Sequence, residues 1–479
     1  MNITNKQFLL KKLYCFLIIL IALFLNGCSP VGPNYEQPTI EVSENWHTDL
    51  ESGISQKNID PNILAEWWTT INDPILTALI ERAKENNLDL KVAYARIRES
   101  RARRSMTIAS LYPGVDFSAS IIGTSTKENR DISTVHSAGI DAGWEMDIFG
   151  GTRRSVEAVN ADLQSTQEDL HDTLVSLMAE VALNYIDIRT YQARLNAVEE
   201  SIEAQNETYQ LTIWRNEAQL NDELAVQQAR YNLESSRSQI PALRASLEQS
   251  MNSLAVLLGE EPGKLHEEVE NPEPIPTAPN DIAIGVPADI IRQRPDIRSA
   301  ERSLAAQTAR IGVATASLYP SFTLNGSLGL SSLSINDIPS ASWTLSGGPR
   351  LSWPIFDAGA IRQNIEVQSA LTEQYLIQYE STVLSALKEV ENVLISYAYE
   401  LQKREYLRQA VDAAQIASEL AQQKFEAGLT DFSDVLDTQR SLLSYQDQLA
   451  QSDGSLITYV IQLYKALGGG WAPLETDEQ

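Results

Sequence analysis

The sequence predicts an internally duplicated α+β chain in which each half holds a helix, a pair of short strands and a long coiled-coil hairpin. Three observations predict it. The first is motif recurrence. Leu111-Tyr112-Pro113 returns 207 residues later as Leu318-Tyr319-Pro320, and Ile148-Phe149 returns at the same distance as Ile355-Phe356. Glu180-Val181, Glu217-Ala218 and Leu258-Gly259 return 209 residues later as Glu389-Val390, Glu426-Ala427 and Leu467-Gly468. Only about two residues of insertion separate the two registers, which marks a duplicated unit rather than scattered similarity. The second observation is a sustained helical heptad in each half. The third is a strand pair placed between helices, also in each half.

The heptads justify the helices. Leu170, Leu174, Leu177, Val181, Ile188, Tyr191, Leu195, Val198 and Ile202 fall on two interleaved seven-residue series broken only by Asn184. Val383, Leu387, Val390, Leu394, Tyr397 and Leu401 repeat the pattern in the second half. A period of 3.5 means packing against neighbouring helices in a left-handed supercoil. The returning helices step by sevens: Val226, Leu233, Ile240, Leu247 and Leu254, echoed by Val435, Leu442, Leu449, Leu456 and Leu463. Few Gly or Pro interrupt Gly151 to Arg215, so this helix spans about 65 residues, roughly 100 Å at 1.5 Å per residue. Pro241 should kink the first returning helix or mark a junction, because its ring displaces a backbone hydrogen bond.

Strands are expected at Gly114–Thr124, Val135–Ile148, Ser321–Ser331 and Ala341–Ile355, which are rich in Ser, Gly and Thr and partly alternating. Trp144, Trp343 and Trp353 sit toward their ends, where interfacial aromatics occur in membrane barrels. A small soluble sheet capping the bundle is the competing reading. Four strands cannot close around a membrane pore, and an open edge cannot face lipid with its backbone groups unsatisfied. Strands in a membrane therefore require several chains in one barrel.

The ends and the composition set bounds. Lys6, Lys11 and Lys12 precede an apolar run from Leu13 to Leu25 that closes on Asn26-Gly27-Cys28. This reads as a signal segment, 1–27, with a lipobox whose Cys28 receives a covalent lipid; that lipid is the only prosthetic group expected. Ser29, rather than Asp, fits outer-membrane sorting. Cleavage would remove three lysines and no acid, taking the net charge from −27 to near −30. So acidic a chain is not expected to bind nucleic acid, whose phosphates need a basic face. Cys15 and Cys28 are the sole cysteines and make no disulfide framework. His47, His136, His171 and His266 are dispersed, no GxSxG, P-loop or HExxH occurs, and neither a metal site nor an enzyme is expected.

Further motifs carry a resemblance. They are Cys28-Ser29-Pro30-Val31-Gly32-Pro33-Asn34-Tyr35 with Pro38, Trp67-Trp68, Asp73-Pro74, Asn86-Asn87-Leu88-Asp89-Leu90 and Trp144-Glu145-Met146-Asp147-Ile148-Phe149-Gly150. Gly285-Val286-Pro287, Arg294-Pro295-Asp296-Ile297-Arg298 with Glu301, and Leu467-Gly468-Gly469-Gly470-Trp471 follow in order. Together they resemble the TolC-like outer-membrane factors, in the lipid-anchored efflux branch of NodT type. The resemblance implies a homotrimer with one twelve-stranded outer-membrane β-barrel, four strands from each chain, above a coiled-coil α-helical tunnel through the periplasm. It implies a passive exit duct that docks a periplasmic adaptor and an inner-membrane pump of RND type. The implied organisation is an anchored arm at 28–72, repeat one at 73–260, a linker at 261–295, repeat two at 296–468 and a tail at 469–479. Residues 28–72, 261–295 and the tail would form an equatorial belt.

The hairpin tips are the expected functional ends. Asp434 and Asp437 fall where the family places rings of aspartates that constrict the closed periplasmic entrance. By the 209 offset, Ala225 and Gln228 stand opposite them, so the pair occurs in repeat two alone; Asp222 or Glu223 could be its partner on the first hairpin. Leu220, Asn221, Gly428, Leu429 and Thr430 are the expected adaptor contacts. A trimeric coiled-coil adhesin and a structural envelope lipoprotein without transport are the rival readings, and the strand pair placed twice between helices separates them from a duct.

Overall fold

The computed structural model describes residues 29–48, 53–57, 60–125, 133–279, 281–333 and 341–471. The signal segment 1–27, Cys28 and most of the expected tail lie outside the described residues. The chain divides into two compact units, each drawn from both repeats. One comprises the chain up to Ile40, Ala95–Gln167 and Ser299–Ser381; the other comprises Glu41–Tyr94, Glu168–Arg298 and Thr382–Gln479.

After α1 (Pro74–Asn86) the element order repeats. Repeat one runs α2 (Leu88–Ala109), β1 (Gly114–Thr124), β2 (Ser133–Met146), α3 (Gly151–Glu217), α4 (Glu223–Arg237) and α5 (Gln239–Leu257). Repeat two runs α6 (Pro295–Ala316), β3 (Ser321–Ser332), β4 (Ser342–Ser352), α7 (Ala360–Glu426) and α8 (Phe432–Ala466). The helix bounds recur at the sequence offsets: α2 and α6 differ by 207 at both ends, and α3 and α7, each of 67 residues, differ by 209. Trp353 lies one residue beyond β4, although its indole donates to Leu318 O at 3.0 Å, just as that of Trp144 donates to Leu111 O at 2.9 Å. The strand registers carry the change of offset, since Gly114 pairs with Gly143 whereas Ser321 pairs with Ser352, 207 and 209 residues further on. Asp147 accepts from the amides of Thr152 and Arg153 to cap α3, whereas Asp357 accepts from Gly359 and Ile361 to cap α7. Each acid satisfies amides that the first helical turn leaves free.

In the first unit all four strands make one antiparallel sheet in the order β1-β2-β3-β4. Its central pairing, β2 with β3, joins the two repeats from His136↔Ser332 to Met146↔Phe322. The register sorts side chains by face. Phe117, Ile140, Leu328 and Leu345 share one row and one face; Asp116, Asp141, Ser327 and Ser346 share the next row and the other face. β1 and β4 are the two edges and are exposed along their whole length within the chain. Arg154, almost fully buried at the start of α3, reads the N-terminal motif by donating to Val31 O at 3.0 Å, Gly32 O at 3.2 Å and Asn34 Oδ1 at 2.8 Å.

In the second unit Trp67 and Trp68 are buried, and Trp67 stacks on Tyr464 at 5.5 Å. Asp73 caps α1 with 2.9 Å bonds from Ile75 and Leu76 and also accepts from the Tyr185 hydroxyl at 2.7 Å. Arg189, 1% exposed, donates to Gln192 Oε1 and to Asn271 O, both at 2.8 Å, and so ties the linker to α3. Arg294 ion-pairs with Asp296 and Glu389, each at 2.8 Å, and closes the end of α8 by donating to Ala466 O at 2.7 Å. The heptad positions Leu170, Val181, Ile188, Val198, Val383, Val390 and Leu394 are buried as the periodicity requires. Pro241 marks a junction: the returning segment breaks at Ser238 between α4 and α5, while α8, with Ala450 at the equivalent place, runs 35 residues unbroken. Gly454 lets α8 approach α3, since a Cβ there would meet Thr190 Oγ1 at 2.1 Å.

Candidate functional site

The hairpin tips share one geometry. Gln219 has φ 58 and Gly428 has φ 72, so both turns pass through the left-handed region at equivalent positions. Leu220 N then bonds Arg215 O, and Leu429 N bonds Lys424 O, both at 2.8 Å. This backbone holds Leu220 and Leu429 outward, 68% and 76% exposed. Thr430 and Asn221 are half-buried, and Gly428 is exposed. Asn216 Nδ2 donates to Asn221 O at 3.0 Å, closing the first tip on itself.

Beneath the turns a small apolar core of Ala225, Ala229, Ala421, Phe425, Phe432, Val435 and Leu436 fixes the two tips together. Phe425 and Phe432 pack with ring centroids 5.3 Å apart. Arg215 lies 4.5 Å above the Phe425 ring and donates to Phe425 O at 2.8 Å, which clamps the first tip on the second.

Asp434 and Asp437 are both exposed on the first turns of α8. Asp434 accepts from the Thr430 hydroxyl. It also sits where a helix N-terminus favours negative charge. Asp437 stands 4.0 Å from Arg440, a neighbour that the sequence reading missed. Arg440 is held from two sides, by Asn232 Oδ1 at 2.6 Å and by the Tyr231 ring at 5.1 Å. A helical i, i+3 spacing to Asp437 was the available signal for it. The proposed partners on the first hairpin have local duties: Asp222 caps α4 by accepting from Ala225 N at 3.1 Å, and Glu223 accepts from Gln227 at 2.7 Å. Among the described residues no group of three or more His, Cys, Asp or Glu could hold a metal ion.

The sheet of the first unit is the second candidate functional surface. Its apolar face exposes Phe117 (73%), Trp343 (69%) and Leu345 (74%) to the surroundings, while its opposite face is built from Ser, Thr, Gly, Asn, Asp, Glu and Arg350, with the paired Ile122 and Val135 as its apolar residues. Such a surface suits lipid on one side and water on the other. Among the described residues no helix is long and apolar enough to cross a membrane. The sheet's two open edges must be closed by other strands. A sheet with one apolar and one polar face, beside long helical hairpins, is the make-up of a membrane channel protein.

Comparison with known proteins agrees. The family model "Outer membrane efflux protein" matches residues 79–260 and 286–469. Nodulation protein T of Rhizobium leguminosarum bv. trifolii is 33% identical over 460 residues, covering 95% of this chain and 97% of that protein. The toluene efflux pump outer membrane protein TtgI of Pseudomonas putida is 31% identical, covering 94% and 97%. Among solved structures, the outer-membrane channel OprN superposes with a TM-score of 0.84 at 34% identity, covering 92% of this chain and 99% of that one. The open state of the Neisseria gonorrhoeae outer membrane channel MtrE gives a TM-score of 0.80 at 26% identity, covering 92% and 99%. The chain belongs to the outer membrane efflux protein family, a family of channels, and is an outer-membrane exit duct whose hairpins extend into the periplasm.

Proposed function

We propose that the duct is a homotrimer with a single twelve-stranded barrel, anchored by a lipid on Cys28. A periplasmic adaptor docks at the hairpin tips and an inner-membrane pump of RND type supplies the energy. The duct itself performs no catalysis. The sheet carries this reading, because a two-faced, four-stranded sheet with both edges open has no stable solution in lipid as a single chain. The tips supply the docking surface: Leu220 and Leu429 present apolar side chains outward beside Asn221, Gly428 and Thr430, on a backbone held by the shared core.

Asp434 and Asp437 act as the gate. Repeated around a threefold axis, they raise the negative potential at the periplasmic mouth, favouring cations and opposing close approach of the three tips. Arg440 beside Asp437 tempers that repulsion and sets how tightly the closed state can form. The test is single-channel recording of the mature protein in planar lipid bilayers. A defined, cation-favouring conductance is expected. Bilayers that stay silent with correctly trimeric protein would return the chain to the rival class of adhesin or structural lipoprotein.

A further inference from the structure

The packing line of the long hairpins changes character on the way to the tips. On α3 the series Leu170, Leu177, Asn184, Tyr191 and Val198 continues as Gln205 and Thr212, which are 2% and 0% exposed. From α8 comes Gln439, 9% exposed, whose Nε2 donates to the buried Thr208 hydroxyl of α3 at 3.0 Å. A coiled-coil core of amides and hydroxyls gives up apolar burial and is stable only where its polar groups are paired. Here the pairing is one-sided. Gln205 Nε2 donates to Ser201 Oγ at 2.9 Å, and Gln422 Nε2 on α7 donates to Glu426 Oε1 at 2.8 Å. Yet the Oε1 carbonyls of Gln205, Gln422 and Gln439 are all buried without a hydrogen-bond partner. A buried acceptor left unmatched costs free energy that a donor would recover.

Gln422 and Gln439 line a groove of about 400 Å³ between α3, α7 and α8, within the second unit. Glu200 and Glu207 of α3 and Glu419 and Glu426 of α7 line it as well, and all four are exposed. Both pairs are seven residues apart, so each helix presents two carboxylates roughly 10 Å apart along its axis. No Lys or Arg stands among the described residues that line the groove. A carboxylate only accepts, and the amide donors of Gln422 and Gln439 are already engaged. The Thr208 hydroxyl is committed too, donating to Ala204 O at 2.9 Å. What the groove offers an occupant is chiefly acceptors, and its single sign of charge concentrates cations there.

We infer that this groove binds a linear organic polycation, a di- or triamine whose ammonium groups bridge Glu200 and Glu207 on α3 to Glu419 and Glu426 on α7, beside the unmatched carbonyls of Gln422 and Gln439. Each ammonium brings up to three donors and no acceptor, which is the complement of the lining. A directly ligated metal ion fits less well, since among the described residues no group of three or more His, Cys, Asp or Glu could hold one. An extended amine also matches the two-by-two spacing of the carboxylates along the helices. Because α3 belongs to the first repeat and α7 and α8 to the second, the occupant ties one hairpin to the other. It does so inside a single chain, so the site requires neither a given number of subunits nor Asp434 and Asp437, which do not line it.

Calorimetric titration of spermidine into the mature protein in detergent tests the site, with Asp434→Ala and Asp437→Ala present throughout so that the tip acids contribute nothing. Saturable binding of one spermidine per chain is expected, together with an unfolding temperature that rises with spermidine concentration. Glu207→Gln with Glu419→Gln should weaken binding about tenfold or more, since two charged contacts are lost. Gln439→Met, close in shape and without the carbonyl, should weaken it by a smaller factor. Glu203→Gln with Asp412→Asn removes the same charge from exposed positions on the same two helices outside the groove, and should leave affinity nearly unchanged. Equal weakening in the two pairs, or no saturable binding in the parent, would overturn the site and leave the duct reading untouched. Magnesium chloride should displace spermidine no better than sodium chloride of matched ionic strength. Displacement by stoichiometric magnesium would make the occupant a hydrated divalent ion and overturn the polyamine assignment.

Discussion

The two hairpin tips have nearly the same backbone and different chemistry. Both turn through a left-handed residue, both start their returning helix after an aspartate, and both lean on one apolar core. Yet Asp434, Asp437 and Arg440 of the second tip stand where the first has Ala225, Gln228 and Tyr231. Arg440 and Tyr231, the equivalent positions, touch each other across the hairpins. The duplication has preserved what positions side chains and released the side chains themselves, so the tips cannot be functionally interchangeable.

Docking should show this most strongly. Leu429→Glu adds a charge to an exposed residue, costs the fold little, and should abolish adaptor-dependent efflux while the trimer persists in the membrane. Leu220→Glu is the matched change on the first tip. Equal loss from both would mean that the adaptor reads the shared backbone shape; loss from Leu429→Glu alone would mean that it reads the second tip's chemistry. Wild-type efflux from both variants, measured as dye accumulation in whole cells, would sink the docking claim.

The gate comes next in size. Asp434→Ala with Asp437→Ala should raise single-channel conductance several-fold and weaken cation preference, because the charge rings are lost. Arg440→Ala leaves Asp437 without its neighbouring cation and should act in the opposite sense on selectivity, making the channel more cation-preferring. Unchanged conductance in the double variant would remove the aspartates from the gate and would make the tips equivalent after all.

How much of this was legible follows from what each signal depends on. Periodicity and recurrence depend on local sequence, and they located the helices to within a few residues and β1 at both ends. Asp434 and Asp437 were named from the resemblance of the tip motif and the outward leucines from their place in the turns, the 209 offset adding only that Ala225 and Gln228 stand opposite the acids. The spacing of Arg440 to Asp437 was legible, but what holds Arg440 there was not, since Asn232 and Tyr231 lie about 200 residues away and only packing brings them together. The same holds for Arg215, whose partner is Phe425 O. β4 ends sooner than its pattern suggests, at Ser352, because edge strands are held by one neighbour only and Pro354 has no N–H to donate.

The returning helices offer a stability comparison. Ala450→Pro in the unbroken α8 removes one backbone hydrogen bond and drives the ring into the preceding turn, so a loss of about 3 kcal/mol is expected in thermal unfolding of the detergent-extracted protein. Pro241→Ala should cost nothing, since α4 and α5 already break at Ser238. A loss from Pro241→Ala would instead mean that the junction is a needed bend, and that the two repeats differ in required shape as well as in chemistry.

The smallest effect probes the tip turns directly. Gly428 has φ 72 with nothing within 4 Å of a built Cβ, so Gly428→Ala meets no clash and isolates the cost of a left-handed backbone, about 1 kcal/mol. Gln219 already bears that strain at φ 58. Gln219→Gly should relieve it, less the entropy that glycine adds to the unfolded chain, for a net gain of about 0.5 kcal/mol. Opposite signs at equivalent positions would show that the turns demand the same backbone from different residues. Should Gln219→Gly destabilise instead, the Gln219 side chain must make a contact that compensates its φ, and the first tip would then hold its shape by side-chain chemistry where the second relies on glycine alone.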